Sequence, residues 1–158
     1  MKAFTIMETG SLTCKPDQKL SHLMGVLDQA DYRLIPVVDD DGKLLGIIDV
    51  VLLLNKSVPE YVSNDSLGAL HFAPDMGVMH KEFNKLMLMR AADVMDSEPA
   101  VVQEEESLLS VASTLLHHLR EDHFEPVLVV DREHRYKGVI SSGTILRALY
   151  ENRDGGEC

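Results

Sequence analysis

Leu20, Leu23, Met24 and Leu27 recur at i, i+3, i+4 and i+7, the apolar stripe of an amphipathic helix, with Asp17 placed to cap it. Beyond this stripe the period shortens. Residues 35–39 form an apolar run rich in β-branched side chains, the pattern of a buried strand. Asp39-Asp40-Asp41-Gly42 then predicts a hairpin turn, because Asp tolerates positive φ and Gly adopts it without penalty. A second strand over 43–48 feeds a helix over 50–56.

The same series returns further along. Leu108, Val111, Ala112, Leu115 and Leu119 repeat the helical stripe, with Ser107 as the expected cap and Glu104, Glu105 and Glu106 near the positive end of the helix dipole. Strands are expected over 127–131 and 136–140, and a helix over 143–153. Asp39 matches Asp131 and Gly46 matches Gly138 at a spacing of 92 residues, whereas Ile6-Met7 matches Val94-Met95 and Leu20 matches Leu108 at 88. The four-residue difference is about one helical turn, so an extra turn or longer loop is expected over 117–124.

Each copy therefore reads as a β-α-β-β-α unit of mixed α/β class, and two units this small are expected to fuse into one body. The copies occupy residues 1–56 and 93–153. Residues 57–92 join them, carry Pro59, Gly68, Pro74 and Gly77, and contain a helical-looking run over 81–90, so at least one helix is expected there, packed on the two units or on a neighbouring subunit. Residues 154–158 are expected to form a disordered tail.

Two copies of an Ile-Met or Val-Met start, an amphipathic helix, Pro36-Val37-Val38-Asp39 or Val127-Leu128-Val129-Val130-Asp131, and Gly46-Ile47-Ile48 or Gly138-Val139-Ile140 feeding a helix resemble the CBS domain. A tandem pair in one chain resembles a Bateman module. The resemblance implies a flat pseudo-symmetric body with clefts between the units. It implies regulatory sensing without catalysis, ligands such as AMP, ADP, ATP or S-adenosylmethionine, and pairing into homodimers, with a further protein partner to receive the signal.

The family's nucleotide signature is Gly, two apolar residues, Ser or Thr, two residues, Asp. In the first copy Asp49 stands at the hydroxyl position and Leu52 at the ribose carboxylate, so both positions are degenerate. A carboxylate about 4 Å from a phosphate oxygen is repelled by up to ~4 kcal/mol at an effective dielectric of ~20. In the second copy Ser141 matches and Thr144 replaces the Asp, exchanging a charge-assisted hydrogen bond for a neutral one at a cost of about tenfold in affinity. The resemblance thus assigns ligand binding to the second cleft, around Val101, Leu128, Val139, Ser141 and Thr144. The plainer role for Ser141 is to cap its helix.

Composition narrows the partners. With 15 basic against 26 acidic residues the formal charge is −11, which argues against nucleic acid and anionic membrane surfaces. The longest apolar run, 50–54, is far short of the roughly 20 residues that span a bilayer. No basic-then-apolar leader opens the chain, and Cys14 and Cys158 do not make a disulfide framework, so a cytoplasmic location is expected.

Other constellations read as ordinary structure. His117 and His118 are adjacent and so face different sides of a helix, His123 and His134 fall in or near loops, and zinc-ligand spacing is absent. His71, Met76, Met79, His80, Met87 and Met89 resemble a soft-metal set, but methionine more often fills core gaps or makes adaptable contact surface. Asp39, Asp40 and Asp41 lack a calcium-loop ladder and read as a solvated turn. No nucleophile elbow or phosphate loop occurs, so neither a catalytic residue nor a required cofactor is expected. The reading is a cytoplasmic ligand-sensing module, with an interaction scaffold of self-filled clefts as the alternative.

Overall fold

The computed structural model describes residues 1–58, 76–120 and 126–156. The first repeat runs α1 (Ala3–Ile6), α2 (Leu20–Leu27), β1 (Leu34–Val38), β2 (Leu44–Asp49) and α3 (Val50–Ser57). Helix α4 (Met76–Met87) stands between the repeats. The second runs α5 (Ala91–Val94), β3 (Val101–Gln103), α6 (Leu108–Arg120), β4 (Val127–Val130), β5 (Tyr136–Ile140) and α7 (Ser142–Glu151), with Arg153–Gly156 closing in a 3-10 turn. Glu157 and Cys158, in the tail expected from residue 154, lie outside the described residues.

The repeat is visible in the ladders. Antiparallel β1 and β2 pair Val37 with Gly46 and slip register after Val37, while β4 and β5 pair Val129 with Gly138 and slip after Val129. Each turn is then tied by one carboxylate oxygen. Asp39 Oδ1 accepts the N–H groups of Asp41 and Lys43, and Asp131 Oδ1 accepts those of Glu133 and Arg135, all at 2.9 Å. The two turns also pair with each other across Lys43 and Arg135.

Two expectations are corrected. Each repeat opens with a helical turn, α1 or α5, ahead of the expected β-α-β-β-α series. The leading strand of the first repeat is reduced to a bridge between Cys14 and Val37, where the second repeat keeps three residues in β3, parallel to β4. Pro16 accounts for the difference, since it has no N–H with which to extend the ladder. Asp17 does not cap α2 either. The N-cap position is Lys19, without a side-chain cap, and the Leu20 N–H bonds the Met89 carbonyl at 3.0 Å. A carbonyl from the segment that leads into the second repeat thus takes the place of a side-chain cap. Ser107 does cap α6, accepting the Ser110 N–H at 3.2 Å. Helix α6 has 13 residues against 8 in α2, in line with the extra turn read from the repeat spacing, while residues 121–125, His123 and Phe124 among them, lie outside the described residues.

The repeats exchange their leading turns. Ala3 N–H bonds Glu106 O at 2.9 Å and Phe4 N–H bonds Glu104 O at 3.0 Å, while Ala91 N–H bonds Gln18 O at 2.9 Å and Ala92 N–H bonds Pro16 O at 3.0 Å. Ala3 is accordingly buried with Val102, Val111, Leu115, Val129 and Ile140 of the second repeat. Ala91 and Val94 are buried with Leu20, Leu23, Leu27, Ile35 and Ile48 of the first. A third cluster, containing Leu34, Leu44, Ile47, Leu128, Val130 and Val139, joins the two sheets. Helix α4 lays Leu86 into the first core.

Candidate functional site: two clefts between the repeats

Each strand-to-helix corner faces the leading segment that arrives from the other repeat, and a cleft lies at each junction. At the β5–α7 corner, Ser141 has extended backbone and caps α7. Its Oγ accepts the Thr144 N–H at 3.2 Å and lies 3.0 Å from Thr144 Oγ1, which in turn accepts the Ser141 N–H at 3.3 Å. Both side chains are buried.

The outer wall of this corner is Glu8. Its backbone is held on Val139 by two hydrogen bonds, Glu8 N–H to Val139 O at 2.9 Å and Val139 N–H to Glu8 O at 3.0 Å. The Thr144 hydroxyl donates to Glu8 Oε1 at 3.2 Å, and the Tyr32 hydroxyl lies 2.8 Å from Glu8 Oε2 and 3.1 Å from Ser141 Oγ. Tyr32 reaches in from a turn in which it and Arg33 both take left-handed backbone, φ 58° and 49°, a conformation costly for a bulky residue. Burial pushes the Tyr32 phenol above its ordinary pKa; the Ser141 bond pulls the other way and the Glu8 carboxylate adds to the rise. Tyr32 is therefore a hydrogen-bond donor at neutral pH. Beside this network a cavity of about 750 Å³ is lined by Thr5, Ile6, Glu8, Thr144, Arg147 and Glu151, among others.

The first-repeat corner is built differently. Asp49 caps α3, its Oδ1 accepting the Leu52 N–H at 2.7 Å. Leu52 is half-buried against the first core. A cavity of about 530 Å³ opens here between apolar walls that include Leu34, Ile47, Met95 and Leu128, with Asp49, Asp96 and Lys56 as its charged groups and Tyr32 at its edge. Tyr32 thus belongs to both clefts.

Of the residues singled out in the sequence, Ser141 and Thr144 meet at one corner and Asp49 and Leu52 at the other. Leu128 opens on the Asp49 cavity, not on Ser141. Val139 is buried between the sheets and meets the second cleft through its backbone, and Val101 packs on that same inter-sheet cluster. Glu8, Tyr32 and Arg147 were missed. Glu8 carried a signal: it follows Met7 as Asp96 follows Met95, at the 88-residue repeat spacing. Tyr32 carried none, being 109 residues from Ser141.

Among the described residues no group of three His, Cys, Asp or Glu could hold a metal. His71 lies outside them. Met76, Met79 and His80 instead line an apolar cavity of about 340 Å³ with Met24, Leu53 and Phe83, where α4 meets α2 and α3. Cys14 is a buried free thiol, and burial pushes it up to about 11. Among the described residues no helix is long and apolar enough to cross a membrane.

Known proteins align with this architecture. The chain is 28% identical over 145 residues to the CBS domain-containing protein CBSX2, chloroplastic, of Arabidopsis thaliana, a match covering 87% of this chain and 58% of that protein. The chain thus spans little more than half the length of that curated relative. A CBS domain-containing protein of unknown function from Bacillus anthracis superposes with a TM-score of 0.71 at 20% identity, covering 96% of this chain and 94% of the other. CBSX2 in complex with AMP superposes with a TM-score of 0.65 at 22% identity, covering 95% and 97%. At these identities the structural likeness carries the fold. The sequence profile of the CBS domain matches twice, over residues 3–56 and 91–151, and the chain belongs to the CBS-domain family as a tandem pair.

Proposed function

We propose that this chain is a regulatory module that binds a small adenine-containing or other anionic metabolite in the cleft at the β5–α7 corner. The observation that carries the reading is the cavity of about 750 Å³ with Thr144 in its wall and Arg147 at its rim. It follows one face of α7 from Thr144 in the first turn to Asn152 past its end, with Glu8 and Glu151 in the same wall. Arg147 adds a cation suited to phosphate. In the first-repeat cavity Asp49 stands where the signature has its hydroxyl, and its carboxylate would repel a phosphate there. AMP in the CBSX2 complex supports adenine as the base.

A ligand seated between the repeats favours one packing of the two units over another, and that difference is what a partner protein would read. The module acts without catalysis and resides in the cytoplasm, a setting that suits the buried free thiol of Cys14. Calorimetric and thermal-shift titrations with AMP, ATP and S-adenosylmethionine test the reading. A rise in Tm with AMP that is lost in Ser141→Ala and Arg147→Ala is expected, and no response at millimolar ligand overturns it.

One observation favours a second reading, an interaction scaffold with self-filled clefts. The Ser141 hydroxyl already has Thr144 and Tyr32 as partners. On that reading Ser141→Ala lowers stability, leaves partner binding unchanged and alters no ligand response.

A further inference from the structure

The protons at the β5–α7 corner can be counted. The Tyr32 hydroxyl has one hydrogen and two neighbours, Glu8 Oε2 at 2.8 Å and Ser141 Oγ at 3.1 Å. The carboxylate is the stronger and nearer acceptor and takes it. Thr144 gives its hydrogen to Glu8 Oε1 at 3.2 Å. Ser141 is left to donate to the oxygen of Tyr32 or of Thr144. Both oxygens of Glu8 are thus occupied by hydroxyls, one from each repeat, and both hydroxyls of the ligand signature are turned inward. An anion already sits where the proposed ligand's anion would bind, and it is covalently part of the chain.

We infer that Glu8 and Tyr32 set the ligand selectivity of this cleft: the Glu8 carboxylate occupies the Thr144 hydroxyl directly and reaches Ser141 through the Tyr32 hydroxyl, a built-in anion that an incoming phosphate displaces as it binds. This rests on the proposed ligand-binding role of the same cleft. Two features make Glu8 displaceable. Its backbone is fixed on Val139, so the side chain can swing without unfolding the segment. Its partner Tyr32 sits in a left-handed pair of non-glycine residues, Tyr32 and Arg33, so that release of the phenol also permits relief of the turn. Retained beside a phosphate, the carboxylate would repel it; neutralising it should strengthen phosphate binding by about tenfold or more.

The test uses the full chain, wild type and Glu8→Gln, titrated calorimetrically with inorganic phosphate, AMP and adenosine. Glu8→Gln keeps the shape of the side chain and removes its charge. The expected result is phosphate and AMP binding at least about tenfold tighter in Glu8→Gln, with adenosine bound equally by both. Tyr32→Phe removes one donor to Glu8 and should tighten AMP by a smaller factor. It carries the test should Glu8→Gln fail to fold. Equal or weaker AMP and phosphate binding in both variants overturns the inference. If AMP binds wild type and variants alike, this inference falls and the ligand-binding reading stands. If phosphate binding tightens and AMP shows none in any form, the built-in anion stands and the adenine reading falls. If nothing binds any form, both fall.

Discussion

The carbonyl oxygen of Asp96 lies 2.5 Å from where a β-carbon on Gly46 would sit, and the Glu8 carbonyl lies 2.5 Å from the matching point on Gly138. These are the glycines that recur in the sequence repeat. Each leaves room for the leading segment of the other repeat to pair with its strand, Ile47 with Asp96 and Val139 with Glu8. The glycines are thus required by the exchange of segments that creates both clefts.

Gly46→Ala and Gly138→Ala should each destabilise the chain by about 3 kcal/mol, because the obstacle is backbone and cannot rotate away. Gly25 in α2 is the control, with nothing within 4 Å of its added carbon. There Gly25→Ala should stabilise by up to about 1 kcal/mol. Urea unfolding of the three variants checks the contrast.

His134 occupies, in the second hairpin, the step that Gly42 occupies in the first, with φ 63° and 83° respectively. A side chain there costs energy that glycine does not pay. His134→Gly should raise stability by about 1 kcal/mol and Gly42→Ala lower it by about as much. The expected signature is opposite shifts in urea midpoint.

Asp131 is held below the ordinary carboxylate range by the Arg135 N–H first, then by the Arg135 guanidinium and the Glu133 N–H. Its folded-state pKa is depressed. It therefore contributes stability that is fully present above the unfolded carboxylate value, about 4, and is lost as pH falls through the lowered folded value. Between about pH 5 and pH 2 the stability of wild type should fall more steeply than that of Asp131→Asn. Parallel curves in denaturant titrations across that range would remove Asp131 from the acid response.

Leu109 is 82% exposed on α6, and Leu146 and Tyr150 are 66% and 65% exposed on the neighbouring α7. We propose that these side chains meet a second copy of the chain. Leu146→Glu combined with Leu109→Glu should then convert a dimer to a monomer in light scattering, with the urea midpoint of the monomer little changed. A wild-type monomer at micromolar concentration excludes this pairing.

Much of the fold was legible in the chain because its signals are local. The stripe from Leu20 to Leu27, the Asp39 and Asp131 turns and the strand runs depend on side-chain period and on turn chemistry within a few residues. Ser107 declared itself as a cap for the same reason. Asp17 did not become one, since the Met89 carbonyl reaches Leu20 from the segment ahead of the second repeat.

The sequence by itself determined that there are two like units, where their elements lie, and that Ser141 and Thr144 share a helix start. Tertiary structure alone decided that each leading turn belongs to the other unit's core. It also decided that Leu128 lines the same cavity as Asp49, that Tyr32 reaches Ser141 and that Glu8 reaches Thr144. The reason is physical: periodicity reports which face of an element is apolar, whereas a hydrogen bond between residues 32 and 141 exists only once two separately coded elements have packed.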